Sequence, residues 1–177
     1  MANVAISGDT SGAITLTVPA TAGTNTVTFP AATGTAMVTG NMPAFSAYLS
    51  SNQSVSSGVA TKILFDTKVF DTNNNFASSR FTPTVAGYYQ VSAGVDGTNS
   101  VGSQSRFQLL FYKNGSQYCH AVDFSGTNAY TISGSNLIYC NGSTDYIEVY
   151  GFLTATGATF TGSNLYTWFT GVMVRSA

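Results

Sequence analysis

At 177 residues the chain is long enough for one domain with a hydrophobic core and an appendage. Only 7% of its residues are charged, against roughly 25% in a typical soluble domain, and the net charge is −1, which excludes the basic footprint that nucleic acid or an anionic membrane demands. Aromatic residues reach 13%, too many for a disordered chain, and no run approaches the ~20 apolar residues of a membrane span.

Met1-Ala2-Asn3-Val4 has neither the basic nor the apolar region of a signal peptide, so the product is expected to be made and kept in a cytosol until it is assembled. Solubility rests on Ser, Thr, Asn and Gly, a surface that suits a protein whose sides are covered by identical neighbours. A seam at Asn41-Met42-Pro43 divides a nearly uncharged leader, residues 1–42, from a head, residues 43–177. The leader repeats itself: Thr17-Val18-Pro19-Ala20-Thr21-Ala22-Gly23-Thr24 is echoed by Thr28-Phe29-Pro30-Ala31-Ala32-Thr33-Gly34-Thr35. Each unit offers a short β-branched strand, a Pro that donates nothing to a ladder and a Gly for a turn. One unit has too little apolar surface to fold alone. Winding several chains together would bury Ile14, Leu16, Val18 and Phe29 jointly; the alternative is a flexible Thr-rich linker.

Beyond Pro43 the pattern has period two. Tyr89, Val91, Ala93 and Val95 alternate with Gln90, Ser92, Gly94 and Asp96. Ser105, Phe107, Leu109 and Phe111 form one face of a second strand, and its other face (Arg106, Gln108, Leu110, Tyr112) is mixed enough to be partly covered too. Asn114-Gly115 accepts the positive φ angles of a type I′ turn and predicts a hairpin returning over 117–122. Asn141-Gly142 marks a connection between strands over 136–140 and 146–153, and 165–174 forms a last strand. No helical period of useful length occurs. The pattern predicts an all-β antiparallel sandwich or jelly roll.

Candidate chemistry is sparse. Cys119 and Cys140 are expected as small buried apolar residues in strands, with a disulfide or an intersubunit pair as the alternative. His120 is the only histidine. A triad would need it with Asp123 or Asp145, but Gly-x-Ser-x-Gly is missing, and Cys119 and His120, adjacent on a strand, point to opposite faces. A depolymerase would need two of the seven acids held several ångströms apart. A calcium site built from Asp66, Asp71 and Asp96 has the right donor chemistry, although turn and strand-end roles explain those residues as well. One His and two separated Cys do not make a zinc site. Tyr89, Phe107, Trp168 and Phe169 are expected in the core or between subunits. Contacts to a partner are expected from polar loops: Asn73, Asn74 and Asn75; Ser103 and Gln104 within 99–104; Ser125, Asn128 and Tyr130 within 124–130; and the stretch 155–164. Small hydroxyls and amides bond sugar hydroxyls while an aromatic face stacks on the ring. Sequons at Asn52, Asn114 and Asn141 have meaning only if the chain is secreted.

The head also carries an ordered series of short motifs. Pro43-Ala44-Phe45-Ser46-Ala47-Tyr48-Leu49 is followed by Ile63-Leu64-Phe65-Asp66, Phe70-Asp71, Phe76, Phe81-Thr82-Pro83 and Gly87-Tyr88-Tyr89-Gln90-Val91. Leu110-Phe111-Tyr112-Lys113-Asn114-Gly115 and Trp168-Phe169-Thr170-Gly171-Val172-Met173-Val174 complete it. In order and spacing this resembles the globular C1q-like domain of the C1q/tumour-necrosis-factor superfamily, over about residues 43–177. The collagen Gly-X-Y stem of many animal members is missing. In its place stands the Thr/Ala/Pro/Gly repeat, which looks like segments of bacteriophage tail and capsid fibres. The resemblance implies a jelly-roll head that forms a homotrimer with binding loops at its far end. It further implies a non-enzymatic virion protein, joined to other virion proteins through the leader, that attaches to a glycan or protein of the host cell surface. No cofactor is implied beyond the calcium that some relatives bind. A purely structural or capsid-decorating fibre, a depolymerase and a secreted C1q-like ligand are the other readings.

Overall fold

A computed structural model describes residues 4–7, 11–17, 19–21, 23–28, 31, 34, 36–98, 104–127 and 131–177. The chain forms two compact units, residues 1–34 and 35–177. In the first unit β1 (Val4–Ser7) and β2 (Ala13–Leu16) pair as an antiparallel hairpin with Ile6 opposite Ile14. The repeat residues Val18, Ala22, Phe29, Pro30, Ala32, Thr33 and Thr35 lie outside the described residues.

The second unit opens with a 3₁₀ turn, Thr39–Asn41, that groups with the head: Asn73 Nδ2 donates to the Gly40 carbonyl at 3.0 Å and Met37 packs on the core. Thirteen strands follow: β3 (Ala44–Tyr48), β4 (Gln53–Ser54), β5 (Thr61–Lys62), β6 (Thr67–Asp71), β7 (Phe76–Ala77), β8 (Arg80–Phe81), β9 (Ala86–Thr98), β10 (Arg106–Lys113), β11 (Ser116–Ser125), β12 (Thr131–Asn141), β13 (Ile147–Thr154), β14 (Thr159–Phe160) and β15 (Trp168–Ser176). They build two antiparallel sheets. One runs β11-β10-β13-β8-β7, with β5 also on β13; the other runs β4-β14-β9-β15-β3-β6, with β12 on the free side of β9. No α-helix occurs among the described residues.

Alternation explains the layers. Tyr89, Val91, Ala93 and Val95 of β9 are all fully buried, and Ile138 pairs with Tyr89 across β12 on the same inner face. From the facing sheet Phe107, Leu109, Phe111, Val149 and Leu153 point to the same core. The hairpin β10–β11 turns on Asn114 (φ 53°) and Gly115 (φ 77°), both in the left-handed region that a type I′ turn needs. At Asn141-Gly142 the chain leaves β12 in one sheet for β13 in the other.

The two sheets meet through phenylalanine rings. Phe45 of β3 stacks on Phe76 (4.9 Å) and Phe81 (4.4 Å) of the opposing sheet and takes Phe169 edge-on at 4.8 Å. Gly171 makes room for this: a Cβ there would sit 2.6 Å from the Phe45 ring. Phe45→Ala is expected to lose about 3–5 kcal/mol of folding stability in urea unfolding. Val69→Ala, on a strand surface where the side chain is 63% exposed, is expected to change it by less than about 0.5 kcal/mol.

Candidate functional site

Register decides where the loops lie. Because β6 runs antiparallel to β3, Asp71 returns to the level of Phe45, so the turn at Asn73–Asn75 sits at the end where Pro43 enters the head. Arg106 pairs with both Ser125 and Thr154, and Thr98 with Thr159, which places Gln104, Ser125 and the connection after β13 at the opposite end. The expected contact loops therefore do not share one surface. Ser103, Asn128 and Tyr130 lie outside the described residues.

Two of the expected contacts are interior. Asn75 is 4% exposed; its Nδ2 donates to the Asn73 carbonyl and to Thr84 Oγ1, and its Oδ1 accepts from Thr84 N. Gln104 is 1% exposed. Loop composition marks polarity, not depth, and these amides face inward. Asn73 is half-buried and tied to Gly40, whereas Asn74, at a φ of 54°, and Ser125 are exposed. Tyr89, Phe107 and Phe169 belong to the core of the chain itself. Trp168 does not: it is half-buried on the outward face, where its indole lies across Gly94.

Each of the three expected calcium ligands has its own local partners. Asp66 accepts from Ser50 N and Oγ and from Thr67 Oγ1; against the cost of burial these bonds hold its carboxyl below the usual range. Asp71 caps the Asn75 and Phe76 amides, and burial raises the carboxyl of Asp96. The three expected calcium ligands do not converge, and among the described residues no three His, Cys, Asp or Glu form a metal-holding group. His120 is exposed, its ring nitrogens against the Gln108 amide at 3.2 Å and the Gln117 amide at 2.8 Å. Asp123 is engaged by Arg106 through two bonds of 2.9 and 2.6 Å, which hold its carboxyl down at about 2. Cys119 and Cys140 are both free thiols, and burial pushes Cys140 up to about 11.

The outward faces of the two sheets differ sharply in charge. On the β12-β9-β15-β3 sheet the cross-strand row through Gln90 reads Leu137, Gln90, Val172, Ala44, and the next reads Ser135, Ser92, Thr170, Ser46, then Phe70 on β6. The row through Gly94 adds Ser133, Trp168, Tyr48 and Thr67. None of these is charged, yet Leu137, Val172 and Phe70 are each more than 40% exposed. The outward face of the β10–β13 sheet carries instead the Lys62–Glu148 ion pair (2.7 Å), the Arg106–Asp123 pair, and Tyr112 stacked on Tyr150. Nothing in loop composition points to this second face. The signal lay in the even-numbered positions of 106–112 and 148–152, once the register set them side by side.

The sequence matches no family model and no curated protein. Solved structures are similar in fold. The globular domain of zebrafish complement 1qA aligns with a TM-score of 0.55 at 15% identity, covering 76% of this chain and 98% of that one. Murine APRIL aligns at 0.54 and 12%, covering 75% and 99%, and the Eiger TNF of S. frugiperda at 0.53 and 9%, covering 77% and 93%. The head has a C1q/TNF-like jelly-roll fold.

Asp145 ties the two Asn-Gly turns together. It accepts from Asn114 Nδ2 (2.7 Å) and Asn141 N (3.0 Å) and pairs with Lys113 Nζ (2.8 Å), and the Asn114 bond first, then Lys113, holds its carboxyl below the usual range. A depressed carboxyl contributes stability above its unfolded value, near 3.8, and loses it as pH falls through the lower folded value. Thermal unfolding followed from neutral pH down to about pH 2 is expected to show an acid decline that flattens in Asp145→Asn. Asp145→Ala is expected to cost about 1.5–3 kcal/mol at pH 7.

Proposed function

We propose that this chain is a structural and adhesion subunit of a phage virion fibre, with a homotrimeric head that binds a host-surface glycan or protein. The observation that carries the reading is the outward face of the β12-β9-β15-β3 sheet on a C1q/TNF-like head, uncharged in the rows through Gln90, Ser92 and Gly94, with Arg175 opposite Tyr88 at one end. Leu137, Val172, Tyr88, Tyr139 and Phe70 leave there an apolar surface of the kind that marks association. A second and third copy would cover it, and Trp168 would join that contact. The C1q-like resemblance supports the threefold arrangement. The Thr/Ala/Pro/Gly repeat in the leader supports a fibre, joined to other virion proteins through residues 1–42. Three identical heads multiply a weak single contact by avidity. The module is read as non-enzymatic: among the described residues no three His, Cys, Asp or Glu group together, and Asp123 is taken up by Arg106.

Light scattering of the full chain is expected to return the mass of three chains. Leu137→Arg places a charge on the β12 side of that face and is expected to give monomers with an unchanged far-UV spectrum. The trimer, added in excess, is expected to reduce phage adsorption to a susceptible bacterial strain, and the monomer to do so far less. A monomeric wild-type chain at every concentration would sink the reading.

A further inference from the structure

With 13% aromatic and 7% charged residues, where the aromatics and charges meet on the surface is informative. They meet on the outward face of the β10–β13 sheet. Leu110 lies opposite Tyr150 and Tyr112 opposite Glu148, so the two tyrosines are diagonal neighbours; their rings stack at 3.8 Å between centroids and 19° between planes. Lys62 lies opposite Tyr150 on the other side. Glu148 is only 7% exposed although it is on the outward face. Its Oε1 accepts from Lys62 at 2.7 Å, and its Oε2 is not a buried orphan. The carboxylate and its ammonium partner thus sit together beside two phenol rings.

We infer that this face is a saccharide-binding site for neutral hexose chains, with the outer side of the Tyr112–Tyr150 stack as the apolar surface and Glu148 and Lys62 as the groups that fix the sugar hydroxyls. A hexose offers C–H faces that pack on aromatic rings and hydroxyls that donate to a carboxylate and accept from an ammonium. The Glu148 carboxylate accepts from a sugar hydroxyl, and the Lys62 ammonium, already between Glu148 and the Ser78 carbonyl, lies within reach of the neighbouring oxygen. The local charges are compensated pairwise, Lys62 with Glu148 and Arg106 with Asp123, which selects against sialylated or sulfated chains. The face is separate from the β12-β9-β15-β3 sheet assigned to trimer contacts and from the loops at both ends. The inference rests on the adhesion reading and gives it a ligand class.

The test titrates the 177-residue chain with neutral polysaccharides (mannan, glucan, galactan) and with sialylated and sulfated oligosaccharides, alongside binding to a panel of bacterial strains. At least one neutral chain is expected to bind, and Glu148→Gln and Tyr112→Leu are each expected to weaken it ten-fold or more, with Asn74→Ala unchanged. Because either variant is open to misfolding, the wild-type protein is also nitrated with tetranitromethane: bound sugar is expected to slow modification of Tyr112 and Tyr150 selectively. Neutral-sugar binding that Asn74→Ala abolishes and that leaves both tyrosines unprotected would overturn the site while keeping adhesion. Binding confined to anionic sugars, or cell binding lost on protease treatment of the cells, would overturn the ligand class. Binding to neither sugars nor cells would remove both the site and the adhesion reading.

Discussion

The contact on which the head depends is between phenylalanine rings of opposite sheets. Phe45 and Phe169 belong to one layer, Phe76 and Phe81 to the other, and they interlock face-on and edge-on within 4.4–6.0 Å. Such pairs contribute about 0.5–1.5 kcal/mol each beyond the area they bury. Charge contributes little to this fold. With so few ionisable groups, the sandwich is held by ring packing and strand ladders, and the ion pairs lie on its outer face and at its turns.

That division leaves each sheet one face for other purposes. The β9-centred sheet presents hydroxyls and exposed aliphatic side chains in three uncharged cross-strand rows, with Arg175 opposite Tyr88 beyond them. The β10–β13 sheet presents acid, base, amide and phenol. Both follow from the same alternation: each inward core residue fixes its neighbours outward, so the core pattern determines what the outside can offer.

Much of the fold was legible because its signals are local. Asn114-Gly115 announces a turn by its backbone tolerance, and the alternation from Tyr89 to Val95 announces a strand with one buried face. The resemblance to C1q-like heads, carried by short motifs in order, agrees with the fold of the solved structures. The site was less legible because its parts are joined by register. Glu148 meets Lys62 across 86 positions, and Asp145 meets Asn114 across 31. Asn75 and Gln104 sit in polar stretches that read as exposed loops, yet the backbone turns both amides inward. Trp168 is expected in the core or between subunits; its parity on β15 sets it on the outward face, against a glycine that leaves space for the indole.

The two Asn-Gly turns also bear on how the protein ages. In such a dipeptide the glycine nitrogen can attack the asparagine side-chain carbonyl, which expels ammonia and leaves a succinimide that opens to aspartate or isoaspartate. Attack requires the side chain to swing freely over the following peptide. Asn114 is held at both ends of its amide, Oδ1 by Tyr146 N and Nδ2 by Asp145. Asn141 Oδ1 takes the amides of Ser143, Thr144 and Asp145, and its Nδ2 donates to Thr144. The lattice of bonds that closes this end of the sandwich thereby acts as a chemical preservative. It pins the two most perishable dipeptides of the head in geometries from which cyclisation must first break several hydrogen bonds.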